Sequence, residues 1–315
     1  MSISPTRDSV SGIGITKVGG ISRWKDRLIA RFIMFNGFVA IIAIMLIFVF
    51  LAKDAVPMFE HVTIWKFFSG RAWQPEFNVF GILPLLAGSL FVTLGSIVVA
   101  VPVGIACAIY LAEVAPKWMR EILKPVIEVL AGIPSVVIGF IGLTIAAPFI
   151  QKIFDLPTGL TALTGSIMLG FMAMPTIISI SEDAITAVPK SYRLGSLALG
   201  ASRWETIRGV TVPAAKSGII AACMLGIGRA IGETMTVLMV AGNASNLPAS
   251  LLPKGLWQFF TSPVRTMTAT IAMEMGETVQ RSTHYHALFA IGLALFAITF
   301  AINLAADLAI KKGRH

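Results

Sequence analysis

Long runs without a charged side chain constrain this sequence more than any other feature. Five of them, residues 32–52, 79–112, 129–151, 156–181 and 287–306, reach the roughly 20 apolar residues that a helix needs to cross a hydrocarbon core. A sixth run, 217–242, is interrupted by Arg229 and Glu233. In lipid every backbone N–H and C=O must be satisfied within the protein, so spanning segments are helices or closed barrels. The runs lack the period-2 alternation of barrel strands, which leaves helices. The sequence therefore predicts an all-α membrane protein with six transmembrane helices. The run 79–112 exceeds one crossing, and 79–86, with Pro84 inside it, reads as a lead-in at the membrane surface.

Charge sets the orientation. Only 13% of the residues are charged, against about 25% in a soluble domain, and 56% are hydrophobic. That excludes an ordinary soluble enzyme, a disordered tail and a nucleic-acid-binding domain, although the net charge is +9. With the N-terminus placed in the cytoplasm, 17 of the 25 lysines and arginines fall in inner segments and seven in outer ones, Arg229 lying within a span. The excess of basic residues inside predicts that both termini are cytoplasmic. The six tryptophans fall outside the spans, where interfacial anchors belong. On this reading residues 1–31 form a cytoplasmic N-terminal segment, 32–52 the first span and 311–315 a cytoplasmic tail. A 31-residue polar leader before a 21-residue apolar run argues for a retained helix rather than a cleaved signal peptide. Cys107 and Cys223 lie inside apolar runs and supply neither a disulfide frame nor zinc-ligand spacing. The outer connection, 243–286, contains two partly apolar pieces, 251–260 and 266–273, which predict short helices folded back against the membrane.

The inner segment from about residue 182 to 213 reads as two short helices. Pro189 marks a boundary, because the residue before a proline is pushed out of the α region. Residues 191–199 can make about two and a half helical turns, and Gly200 suits a left-handed C-terminal cap. Ser202-Arg203-Trp204-Glu205 fits a capping box, with serine at N-cap and glutamate three residues on. Pro213 can occupy the first turn of the next helix. Such a capped pair is either a solvated loop or a plug for another protein.

The spacing within this segment resembles a known family. Binding-protein-dependent ABC importer permeases carry a cytoplasmic coupling loop that reads Glu-Ala-Ala, three residues, Gly, nine residues, then Ile-x-Leu-Pro. Gly200 and Pro213 match at that spacing, with Val210 and Val212 as conservative replacements. The opening triplet is Leu194-Gly195-Ser196, so the family's glutamate is missing while two small residues, Gly195 and Ser196, remain. The stretches around Gly226 to Met235, Val240 to Asn243, Thr268 to Glu277 and His284 to Phe289 resemble the PstC-type permeases of phosphate importers. The resemblance implies a type I (MetI-like) permease fold over residues 80–310, a multi-pass position in the bacterial inner membrane, and transport of inorganic phosphate. It further implies a second homologous permease, a dimer of ATPase subunits that uses Mg-ATP, and an external phosphate-binding protein. Gly195, Ser196, Gly200, Ser202, Arg203, Trp204, Glu205 and Pro213 would then form the ATPase-coupling loop.

Arg229 and Glu233 carry the chemistry. A charge near mid-membrane costs at least about 2.5–3.5 kcal/mol, so it usually faces a cavity and has a partner. Glu233, four residues on, would share a helical face with Arg229. The pair is either an internal ion pair or part of the substrate path. In the second case the guanidinium fork matches phosphate oxygens, and the carboxylate accepts the proton of hydrogen phosphate, which sulfate lacks at neutral pH. Gly228 and Gly232 form a GxxxG pair that suits close helix packing, within the subunit or against a second permease. Glu274 and Glu277, three apart, are either solvated outer acids or an outer gate or docking site. Glu128 reads as a residue at the inner start of the third span. His284 and His286 lack metal-ligand spacing, and no metal site, cofactor site or catalytic constellation is assigned to the chain.

No phosphate-binding loop of the Gly-Lys-Ser/Thr type occurs, so ATP hydrolysis by that route belongs to a partner. Three alternatives are open at this stage: a permease for another oxyanion such as molybdate or sulfate, an autonomous ion-coupled secondary transporter, and a membrane-embedded enzyme. The second lacks an inverted repeat and a second broken span, and the third lacks an assembled set of catalytic side chains.

Overall fold

The computed structural model describes residues 20–245 and 255–312. The chain divides into two compact units, residues 1–50 and 51–315. The described part of the first unit belongs to one helix, α1 (Gly20–Ala55), whose apolar stretch meets the length and hydropathy of a membrane crossing. The N-terminal segment before residue 20 and the last three residues of the expected tail lie outside the described residues.

In the second unit a short helix α2 (Ile64–Ser69) and a two-stranded antiparallel hairpin, β1 (Trp73–Gln74) with β2 (Val79–Phe80), precede the long helix α3 (Leu83–Val114). The expected surface lead-in is thus shorter than 79–86. Only residues 79–82 precede the helix, and Pro84 sits in its first turn, where a missing N–H costs nothing. At 32 residues α3 is about 48 Å long, more than the hydrocarbon core requires.

The third expected span, 129–151, is corrected. An amphipathic helix α4 (Lys117–Ala131) ends at the Gly132-Ile133-Pro134 break, and the span itself is α5 (Ser135–Ile153). Glu128 therefore lies exposed on α4 rather than at the start of a span. The absence of charge between residues 129 and 151 conceals the break, because Pro134 is apolar and only its effect on the backbone marks a boundary. The helix α6 (Ala162–Thr186) is buried along most of its length, unlike the other spans. Small residues bring its neighbours close. A Cβ on Gly104 of α3 would lie 2.9 Å from Ile177 Cγ2.

After α6 come α7 (Lys190–Ala198) and α8 (Arg203–Ala214), the second containing a π-helical turn over Ile207–Thr211. Then α9 (Lys216–Gly232) leaves at a 68° bend, and α10 (Met235–Val240) follows. Five helices are long and apolar enough to cross a membrane, and the pair α8–α9, bent by 68°, passes that test only when its two helices are counted together. In the outer connection the two short helices are α11 (Gly255–Phe260) and α12 (Met267–Glu274), and α13 (Thr283–Lys312) is the last span. The first four residues of the 251–260 piece lie outside the described residues.

Candidate functional site

The apolar run 217–242 does not form one helix. Gly232, Glu233 and Thr234 separate α9 from α10, and Glu233 adopts an extended backbone with ψ 130°. Glycine and a β-branched threonine are poor helix residues, so the break falls where the ladder is weakest. Such a break inside a span must satisfy its freed groups locally. Thr268 Oγ1 donates to the Glu233 carbonyl at 3.0 Å, and the Glu233 carboxylate accepts from the Thr236 N–H at 3.1 Å, capping the first turn of α10. Thr236 Oγ1 in turn donates to the Ser135 carbonyl at 3.0 Å.

This geometry corrects the expected pairing of Arg229 with Glu233. The break removes the shared helical face, and no ion pair joins the two. The Arg229 guanidinium, in the last turn of α9, donates to Thr176 Oγ1 of α6 at 3.2 Å and to the Ala131 carbonyl of α4 at 3.1 Å. Ala131 ends α4, so its carbonyl has no partner within the helix, and the cation lies at the negative end of two helix dipoles. Arg229 is exposed and keeps donors to spare, because a guanidinium carries five N–H groups. Glu233 is half-buried beside a small cleft whose polar lining is hydroxylic, from Ser89, Thr93, Thr266 and Thr268. The site thus offers one unneutralised guanidinium and, separately, one carboxylate held by a neutral donor, the Thr236 N–H. Of the two GxxxG glycines, Gly228 faces Asn303 of α13 at 3.8 Å, whereas a Cβ on Gly232 would meet nothing within 4 Å. Gly226 is the one that packs tightly, against Ile177 of α6.

The 190–214 segment forms the two expected helices. Pro189 is the N-cap of α7, and Gly200 takes φ +85° just past its end. Ser202 and Glu205 form the complete capping box, with the Ser202 N–H donating to Glu205 Oε2 at 2.8 Å and the Glu205 N–H donating to Ser202 Oγ at 3.3 Å. The Ser202 backbone and hydroxyl hydrogen bonds hold the Glu205 carboxyl below its ordinary range. Pro213 lies in the first turn of the Val212–Ala214 piece. Ser196 and Thr206 share a hydrogen bond of 3.0 Å that joins α7 to α8. Leu194, where the resembled family has glutamate, is 65% exposed, as is Trp204 at 64% and Leu199 at 91%. Arg203 and Trp204 line an open groove with Leu197 and Glu113, and Gly195 faces open space. Exposed apolar side chains on a capped helical pair make a surface suited to another protein.

The structure separates Glu274 from Glu277. Glu274 ends α12 and is tied on all sides: Arg265 Nη1 at 2.7 Å, Trp73 Nε1 at 2.9 Å and His284 Nε2 at 2.8 Å. Glu277 lies beyond the helix and is exposed, so the two acids do not share a helical face. Sequence reasoning missed Trp73, Arg265 and His284 as partners, since nothing in their spacing links positions so far apart. It also missed Glu182, a carboxylate only 2% exposed at the end of α6, and Arg193, which binds Glu113 at 2.7 Å and the Ile185 carbonyl at 2.8 Å. Among the described residues no group of three or more histidine, cysteine or acidic side chains is placed to hold a metal ion.

Residues 100–312 match the family described as binding-protein-dependent transport system inner membrane component. The chain belongs to this family. It is 45% identical over 241 residues to a probable ABC transporter permease protein, YqgH, of Bacillus subtilis, covering 76% of this chain and 75% of that one. A phosphate transport system permease protein PstC of Pasteurella multocida is 32% identical, covering 91% of this chain and 93% of the relative. The PstC of Mesorhizobium japonicum is 35% identical over 76% of each chain. Among solved structures, a bacterial ABC transporter involved in alginate import matches with TM-score 0.58 and 14% identity, covering 92% of this chain and 98% of that one. The methionine transporter MetNI, in an inward-facing form, matches with TM-score 0.53 and 17% identity over 74% and 94% of the two chains. The chain has the ABC importer permease fold and is an inner-membrane component of an ABC transport system.

Proposed function

We infer that this chain is a permease subunit of an ATP-driven importer that moves inorganic phosphate into the cytoplasm, and that it does no catalysis itself. The observation that carries the reading is the run of phosphate-permease relatives, 32–35% identical over most of the chain. Both termini face the cytoplasm on this reading, which follows the excess of basic residues in the segments joined to them. A second, homologous permease completes the pathway, two ATPase subunits hydrolyse Mg-ATP, and an external binding protein delivers phosphate. The exposed Leu194 of α7, Leu199 just past its end and Trp204 of α8 are the surface against which an ATPase pushes.

Arg229 meets the anion. Its guanidinium already spends two donors on neutral oxygens and has others free for phosphate. One cation unneutralised by a carboxylate attracts an anion, and the competing carbonyl and hydroxyl keep the hold weak enough for release. Glu233, within the break, accepts a hydrogen bond from the hydroxyl of hydrogen phosphate on this reading and repels oxyanions that lack one. The test is ATP-dependent uptake of radiolabelled phosphate in vesicles containing the reconstituted complex. Wild type should accumulate phosphate and Arg229→Ala should not, with assembly intact. Uptake by wild type without the ATPase, or normal uptake by Arg229→Ala, would overturn the reading.

A further inference from the structure

The Arg229 guanidinium depends on the end of α4, and α4 has its own attachment. Seven residues before Ala131, Lys124 Nζ reaches Glu182 Oε2 at 2.7 Å and Asp183 Oδ1 at 2.6 Å, both on α6. Arg120, one turn earlier, pairs with Glu182 Oε1 and donates to Thr186 Oγ1 at 2.8 Å. Thr186 Oγ1 also donates to the same Glu182 oxygen at 3.0 Å. Glu182 is 2% exposed, so it is a desolvated carboxylate that two cations and a hydroxyl must satisfy. The hydrogen bonds that Lys124 donates to Asp183 and Glu182 raise its pKa above the ordinary value, so this ammonium stays charged.

The second acceptor of Arg229, Thr176 Oγ1, is on α6 as well. The guanidinium therefore bridges two helices, α4 through Ala131 and α6 through Thr176, the same two that the Glu182 ion pairs join. The residues in contact with α6 beyond Thr186 extend the link. Arg193 of α7 donates to the Ile185 and Val188 carbonyls, the last ones of α6 and its turn, so the coupling segment is fastened to the same helix end.

We propose that Glu182 is a positioning residue for Arg229: by clamping α4 to α6 it holds the Ala131 carbonyl and Thr176 hydroxyl at the spacing that aims the guanidinium. The inference rests on the reading of Arg229 as the phosphate contact. Loosening the clamp lets α4 shift, the two acceptors part, and the fork loses its fixed aim while its charge remains. The loss then falls on substrate recognition rather than on assembly.

The experiment uses the reconstituted full transporter and compares Glu182→Gln, Glu182→Asp and the swap Glu182→Lys with Lys124→Glu. Phosphate KM, maximal uptake and the amount of assembled complex are measured for each. Glu182→Gln should raise KM about fivefold or more, with assembled complex near wild type. The aspartate variant should recover part of that change. Because Arg120 would face an introduced lysine in the swap, the swap is scored only for KM relative to the single Lys124→Glu variant, over which it should improve. A Glu182→Gln variant with unchanged KM and proportionally less complex would show a purely structural carboxylate and overturn the proposal. Wild-type uptake with its loss in Arg229→Ala, measured alongside, keeps that outcome distinct from failure of the phosphate reading.

Discussion

Arg265 and Glu274 stand nine residues apart in sequence and meet at 2.7 Å, whereas Arg229 and Glu233 stand four apart and do not meet. Both pairs lie near helix ends in the same apolar chain. The first is closed on itself, because Trp73 and His284 use the remaining oxygen of Glu274 and the Asn243 carbonyl takes the Nε of Arg265. The second is open, since each member is held by neutral partners and its charge stays uncompensated. The contrast teaches that nearness in sequence does not decide whether two opposite charges neutralise each other. The backbone between them does. A continuous helix would have placed Arg229 and Glu233 side by side, and the extended Glu233 keeps them apart.

That contrast can be broken at several points. The largest effect is expected at Arg229. Replacement by alanine should cut phosphate uptake by about 100-fold or more, the loss of roughly 3 kcal/mol of charge-assisted contact, while Arg229→Lys, a point charge without the fork, should still lose about tenfold. Equal uptake by the lysine variant would remove the bidentate role. At the closed pair the expected change is in stability and not in transport. Glu274→Gln strands Arg265 in a mostly buried position and should cost about 2–3 kcal/mol, read as a lower Tm in detergent, with uptake per folded molecule unchanged. A fall in uptake with no change in Tm would instead make Glu274 part of the path.

Smaller effects sharpen the same comparison. Thr268→Val removes the hydroxyl that satisfies the Glu233 carbonyl and should cost about 1 kcal/mol, with Thr268→Ser close to wild type. Its signature is faster amide exchange in α10 than in α6, and equal exchange would show that the break needs no such tether. The smallest effect concerns the capping box. The folded Glu205 carboxyl ionises below its ordinary range, so its contribution is complete at neutral pH and is lost as acid carries it through the depressed folded pKa. Acid titration followed at Trp204 should show α8 loosening below the usual carboxylate range in wild type and lacking that step in Glu205→Gln. An identical titration in the variant would assign the loosening to another group.

Much of this was legible in the sequence where one local rule governs. Uncharged length located the spans, and Pro189, Gly200, Ser202 and Glu205 marked the caps of α7 and α8, because caps depend on residues within one turn. Two kinds of feature were not legible. Breaks inside apolar runs leave no trace in hydropathy, so the uncharged run takes in residues 129–131, the end of α4, with the third span, and joins α9 to α10. Contacts between distant positions were the other. Glu182 stands among apolar residues near a span end and reads as an ordinary terminal acid, until α4 folds back to bring Arg120 and Lys124 against it. The hidden end of α4 and the unexpected partner of Arg229 are one feature, since the Ala131 carbonyl is free to accept from Arg229 because α4 ends there.

The extended residue at Glu233 also changes how the span can move. A continuous helix transmits rotation about its axis along its whole length, so turning one end turns the other. Here the ladder is interrupted, and α10 is pinned through the Thr236 hydroxyl to the start of α5 while α9 continues from the bend at Ala215. A turn of α9 imposed from the 190–214 segment is therefore not carried through an unbroken ladder into α10, and Arg229, one turn before the break, can follow it only by giving up its bonds to Thr176 and Ala131.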